Sequence, residues 1–131
     1  MPVEINKILQ YSVDAKASDL HLSTTSVPMV RIDGLVKPLQ LPVLSKDDMV
    51  NIKNEVLSVN QQSLLDEKLE IDFSYEIKGY GRFRVNFFHQ INGLSASFRV
   101  IPSQILSSEE LGVPPIINDL AFMEKGLILL T

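Results

Sequence analysis

The sequence has no cysteine among its 131 residues, which excludes disulfides, thiolate metal sites and thiol nucleophiles and suits a reducing compartment. It also lacks a basic excess. Twelve basic residues face sixteen acidic ones, for a net charge of −4, so broad binding to nucleic acid or to an anionic membrane has little electrostatic support. The longest uninterrupted apolar run, Leu127 to Leu130, cannot span a bilayer. Met1 to Lys7 carries Glu4 and has neither the basic flank nor the apolar core of a signal peptide. No Gly-x-Ser-x-Gly motif offers a nucleophile. The expectation these absences leave is a cytoplasmic protein that neither inserts in a membrane nor binds nucleic acid.

What is present suffices to fold. Hydrophobic residues make up 45% of the chain, well above the depleted apolar content of disordered segments. The length suits one domain, or a small domain plus part of another. Ile5, Ile8, Leu9 and Val13 recur at helical spacing and predict an amphipathic helix ending near Lys16. Asp19 to Ser23 alternates polar and apolar residues, the period of a half-buried strand with Leu20 and Leu22 inward. Val30–Ile32 and Leu35–Lys37 flank Asp33-Gly34, a dipeptide suited to the positive φ angles of a tight hairpin. Ser45 to Asp48 resembles a capping box with Asp in place of Glu, and Met49, Ile52, Val56 and Leu57 supply the stripe of the helix it starts. A second short helix is expected over Gln61 to Lys68.

Alternation returns in Glu70 to Ile77, and Lys78-Gly79-Tyr80-Gly81 turns the chain. Strands over Arg82–Gln90 and Ser95–Val100 flank Asn92-Gly93, the strongest short hairpin signal. Ile101-Pro102-Ser103-Gln104 reads as a linker. Beyond it come a capping box at Ser107 to Glu110, a stop at Gly112, and a short helix after Pro114-Pro115. Gly126 to Thr131 is apolar up to its last residue, the pattern of a strand buried on both faces in a parallel sheet. The division expected is a domain over residues 1–100, a linker at 101–106, and an incomplete second domain from 107 to 131.

With Asn92 and Gly93 as turn residues, Phe87 would face Phe98, Asn86 would face Arg99 and Val85 would face Val100. Phe83, Val85 and Phe87 then share a core face with Ala96, Phe98 and Val100. Arg82, Arg84 and Arg99 cluster on the other face, with Arg84 diagonal to Arg99. Such a cluster repels itself unless carboxylates or an anion compensate, and a guanidinium grips phosphate bidentately. Two readings compete. In one, Glu70–Ile77 pairs alongside through an odd-length loop and brings Asp72, Ser74 and Glu76 beside the arginines as surface salt bridges. In the other, one or more arginines reach a phosphate held by another domain or subunit.

Other candidates are weaker. His21 and His89 lack a third ligand for a metal site. Asp66, Glu67, Glu70 and Asp72 suit a solvated face better than acid–base catalysis. Lys78-Gly79-Tyr80-Gly81 opens like an RNA-binding signature, but Arg82, Phe83 and Val85 break the match.

Ala17-Ser18-Asp19-Leu20-His21-Leu22-Ser23 and Val30-Arg31-Ile32-Asp33-Gly34 resemble the start of the PilT and PilB family of secretion and pilus ATPases. Asp72-Phe73-Ser74-Tyr75, Gly81-Arg82-Phe83-Arg84-Val85-Asn86, Phe98-Arg99-Val100-Ile101-Pro102-Ser103, Glu109-Glu110-Leu111-Gly112 and Gly126 to Thr131 continue the resemblance to the last residue. The short leading helix is similar to the PilT-type retraction branch rather than to the larger assembly ATPases. The resemblance implies an α+β fold: a PAS-like antiparallel sheet with helices, then the start of a RecA-like α/β ATPase domain. It implies a hexameric ring of copies of the chain at the cytoplasmic, inner-membrane base of the pilus machinery. It implies ATP and Mg2+ in the full-length protein, with Arg82, Arg84 and Arg99 as the phosphate-contacting residues and no metal ligand or catalytic residue in this stretch. The family's Gly-x-x-x-x-Gly-Lys-Ser/Thr loop would follow Thr131, so the stretch by itself is expected not to be an enzyme. An independent small-ligand sensory module is the alternative function.

Overall fold

The computed structural model describes residues 3–131. Helix α1 (Ile5–Asp14) buries Ile5, Ile8 and Leu9 as their spacing predicts, and adds Ser12 to the stripe. The Ser12 hydroxyl donates to the Ile8 carbonyl at 2.8 Å, which satisfies a polar group inside an apolar face. Six strands follow: β1 (Asp19–Ser23), β2 (Met29–Ile32), β3 (Leu35–Pro38), β4 (Glu70–Ile77), β5 (Gly81–Gln90) and β6 (Gly93–Ile101). All pair antiparallel in one sheet of order β3-β2-β1-β6-β5-β4. The fold is therefore of the α+β class. The β2–β3 turn is the hairpin expected, with Asp33 at φ 49° and Gly34 at φ 78°.

Helices α2 (Lys46–Val56) and α3 (Val59–Lys68) connect β3 to β4. Reciprocal hydrogen bonds between Ser45 and Asp48 start α2, as the sequence signals. The same device between Ser58 and Gln61 starts α3 two residues ahead of the expected Gln61. One face of the sheet packs against these helices and α1. Phe83, Phe87, Phe98, Leu20, Leu22 and Met49 are at most 1% exposed in that core, and the Phe87 and Phe98 rings meet edge to face at 6.0 Å.

The β5–β6 register differs from expectation by two residues. Gln90 pairs with Gly93, Phe87 with Ala96, Val85 with Phe98 and Arg84 with Arg99. A turn built on Asn92-Gly93 needs positive φ at both residues. Asn92 does not adopt it; Gly93 does, at φ 129°, but as the first residue of β6. There a Cβ would lie 2.8 Å from the Thr24 hydroxyl. Thr24, the residue after β1, donates its amide (3.0 Å) and its hydroxyl (2.8 Å) to the Leu94 carbonyl, which pins the hairpin from the side. Because the side-chain period is two, a two-residue shift leaves every residue on its expected face.

In the C-terminal segment Ser107 and Glu110 exchange capping-box bonds around a turn, and α4, over Ile116–Ala121, is the short helix expected after Pro114-Pro115; the departure lies in the last residues. Residues 126–131 form no strand. Leu127 is 83% exposed and Leu130 81%. Such a strand needs a parallel sheet covered on both faces, and every strand pair of the six-stranded sheet is antiparallel.

Candidate anion-binding face

The face of the sheet turned away from the helices carries most of the polar residues of β1, β4, β5 and β6, together with Arg31 of β2. The register places Arg31, Asp19, Arg99, Arg84 and Ser74 in one row across β2, β1, β6, β5 and β4. His21, Ser97, Asn86 and Asp72 form the adjacent row, and Arg82 lies between Glu76 and Ile101. Alternation sends these side chains to one side while Phe83, Val85, Phe87 and Phe98 go to the other.

Two carboxylates organise the arginines. Asp72 accepts from Arg84 Nε at 3.2 Å and from Arg84 Nη2 at 2.9 Å, a bidentate pair. Asp19, buried in the middle of the row, accepts from Arg99 Nε at 3.0 Å and from the Ser18 hydroxyl at 2.8 Å, and Arg31 Nε stands 3.5 Å from its second oxygen. Burial works to raise the Asp19 pKa, but the Ser18 hydroxyl and the Arg99 guanidinium outweigh it and hold the carboxyl below the ordinary aspartate value. The bond from Arg84 lowers the Asp72 pKa in the same sense. Among the described residues Arg82 forms no ion pair. Asp19, His21, Arg84, Asn86, Ser97 and Arg99 line a shallow pocket of about 180 Å³ on this face.

The structure thus brings the three predicted arginines onto one face and resolves their pairing. Arg84 is directly opposite Arg99, not diagonal to it. Of the β4 residues expected beside them, only Asp72 makes an ion pair, and the partner of Arg99 is Asp19 of β1.

Comparison with known proteins gives the face its context. The chain is 40% identical over 129 residues to the type IV pilus retraction ATPase PilT of Pseudomonas aeruginosa, covering 98% of this chain and 38% of that protein. It is 38% identical over 104 residues to a twitching motility protein of Neisseria gonorrhoeae, covering 79% of this chain and 28% of that one. A solved structure of the pilus retraction motor PilT with bound ADP matches with a TM-score of 0.77 at 34% identity, over 92% of this chain and 36% of that one. The chain is of the PilT type. The Legionella pneumophila ATPase DotB, at 20% identity and a TM-score of 0.76 over 96% of this chain and 36% of that one, shares the fold. No protein-family profile matches the sequence. The chain spans less than two-fifths of the length of these relatives.

In this PilT-type chain the residues that complete the face were less legible than the arginines. Asp19 and Ser97 announce themselves only as polar members of alternating strands, and Arg31 as part of a short strand. That Asp19 and Arg31 meet Arg99 depends on β1 pairing with β6, about 80 residues away along the chain. His21 lies in the pocket, whereas His89 is on the opposite side of β5, 3.9 Å from Asp66. Among the described residues no group of three or more His, Asp or Glu side chains is placed to hold a metal ion. The guanidinium N–H groups that no carboxylate takes are hydrogen-bond donors of fixed geometry.

Proposed function

We propose that this chain is the N-terminal, regulatory part of a type IV pilus retraction ATPase, and that its arginine face meets the phosphates of ATP held elsewhere in the longer protein. The observation that carries this reading is 40% identity to PilT across 98% of the chain. In the full-length protein, copies form a hexameric ring at the cytoplasmic base of the pilus machinery. Nucleotide state, with Mg2+, sets the angle between this domain and the ATPase domain and between neighbouring subunits. Residues 1–100 are the domain that moves, 101–106 the linker, and 107–131 the beginning of the ATPase domain. The end of the packed sheet at Ile101 and the exposed apolar residues beyond it support that division.

A small-ligand sensor has less support. Phe83, Phe87 and Phe98 fill the sheet's core. A pocket of about 560 Å³ lies at the surface between α1 and the end of β3 with the segment that follows it, lined by Lys7, Ile8, Tyr11 and Pro38–Leu41.

ATP turnover by the full-length protein tests the proposal. Replacing Arg82, Arg84 and Arg99 together by glutamine is expected to lower kcat/KM at least about tenfold, the size of one lost charge-assisted bond. An unchanged rate would overturn the phosphate reading, and so would tight ATP binding by residues 1–131 alone.

A further inference from the structure

The three arginines are not equivalent, and local charge separates them. Arg84 is matched by its own partner, since Asp72 takes both its Nε and its Nη2 hydrogens. Arg99 shares Asp19 with Arg31, so two guanidiniums face one carboxylate and a positive charge is left over on that side of the pocket. The way Arg99 is held differs too. Asp19 accepts only from its Nε, and among the described residues no protein acceptor engages its two Nη atoms. Asp19 itself is locked, with one oxygen on Arg99 and the other on Ser18 and close to Arg31. Arg31 is tied in turn by a 3.1 Å bond from its Nη1 to the Gly34 carbonyl.

We infer that Asp19 is a positioning residue: by gripping Arg99 through Nε it presents the Nη fork of Arg99 to a phosphate-type oxyanion at the pocket lined by His21, Asn86 and Ser97. A guanidinium is planar by resonance, and one held at Nε keeps its two terminal nitrogens turned in a fixed direction for two oxygens, so less side-chain entropy is lost when the anion arrives. Arg99 is then the principal phosphate-contacting residue of this pocket; Arg84 lines it without supplying its surplus charge, and Arg82, which forms no ion pair among the described residues, is not among its lining residues. The inference rests on the proposed function, because the oxyanion is taken to be the phosphate of ATP bound by the rest of the protein.

The test is a double-mutant cycle in the full-length protein, with ATP as the probe and kcat and KM measured separately. Arg99→Gln is expected to lower kcat/KM about tenfold or more. Asp19→Asn, near-isosteric, is expected to lower it several-fold, and the double variant to be no worse than Arg99→Gln alone. Arg99→Lys, which keeps the charge but lacks the fork, should match Arg99→Gln. It also serves as the decisive variant if Asp19→Asn does not fold. Additive losses in the double variant, or wild-type kinetics for Arg99→Lys beside an impaired Arg99→Gln, would overturn the positioning role and leave the phosphate reading standing. Wild-type kinetics for Arg99→Gln would remove this inference. The phosphate reading itself falls if the triple arginine variant is also unimpaired.

Discussion

In the sheet Phe83, Phe87 and Phe98 are completely buried, whereas beyond Ile101 Phe122 is 88% exposed and Leu127 83%. The two regions do not differ in having apolar residues; they differ in having a surface to put them on. In the first, a two-residue period gives the sheet one apolar face, and the apolar stripes of α1 and α2, with Leu65 of α3, cover it. In the second, an unbroken apolar run has no second sheet, so each side chain stays in water. Hydrophobicity is a demand for partners, and only periodicity matched to neighbours meets it.

The comparison can be broken first where the burial is deepest. Phe87→Ala empties a site that also touches Phe98, and should cost about 3–5 kcal/mol. Urea unfolding checks it, and a loss below about 1 kcal/mol would mean the core is looser than its burial implies. Gly93→Ala comes next, since it forces a Cβ to 2.8 Å from Thr24 at φ 129°, with an expected loss of about 1–3 kcal/mol by the same measurement.

Asp19 gives a smaller, pH-dependent effect. Its folded pKa lies below its unfolded value, near the ordinary 3.9. Its contribution is therefore complete above that value and is lost as pH falls through the folded pKa. Urea midpoints measured from pH 7 down to pH 2.5 should fall less steeply for Asp19→Asn than for the parent; identical acid limbs would contradict the pairing. At the bottom of the scale, Leu129→Ser in residues 1–131 should change stability by no more than about 0.5 kcal/mol. A larger loss would show that the tail packs on the domain after all.

Much of this was visible along the chain. The alternation of Arg82 to Phe87 separated core from arginines, and Ser45 with Asp48 marked the start of α2. Ser58 with Gln61 carried the same signal for α3, and the expectation of a start at Gln61 passed over it. The β5–β6 register was not visible, because Asn92-Gly93 is a strong local turn signal that yields to the contact between Gly93 and Thr24, a residue of the β1 side. The strand expected at 126–131 failed for a related reason: its pattern is a request for a sheet that residues 3–131 do not supply.

The sequence by itself determined which side chains share a face, because a period of two is a property of the extended backbone and survives a register shift. It also determined the capping boxes and the Asp33-Gly34 turn, whose bonds close within four residues. Only the tertiary structure decided that Asp19 holds Arg99, that Asp72 rather than Glu76 takes an arginine, and that Arg84 faces Arg99. Those contacts join strands far apart in the chain, and their geometry follows from strand order and lateral packing, which no local pattern encodes.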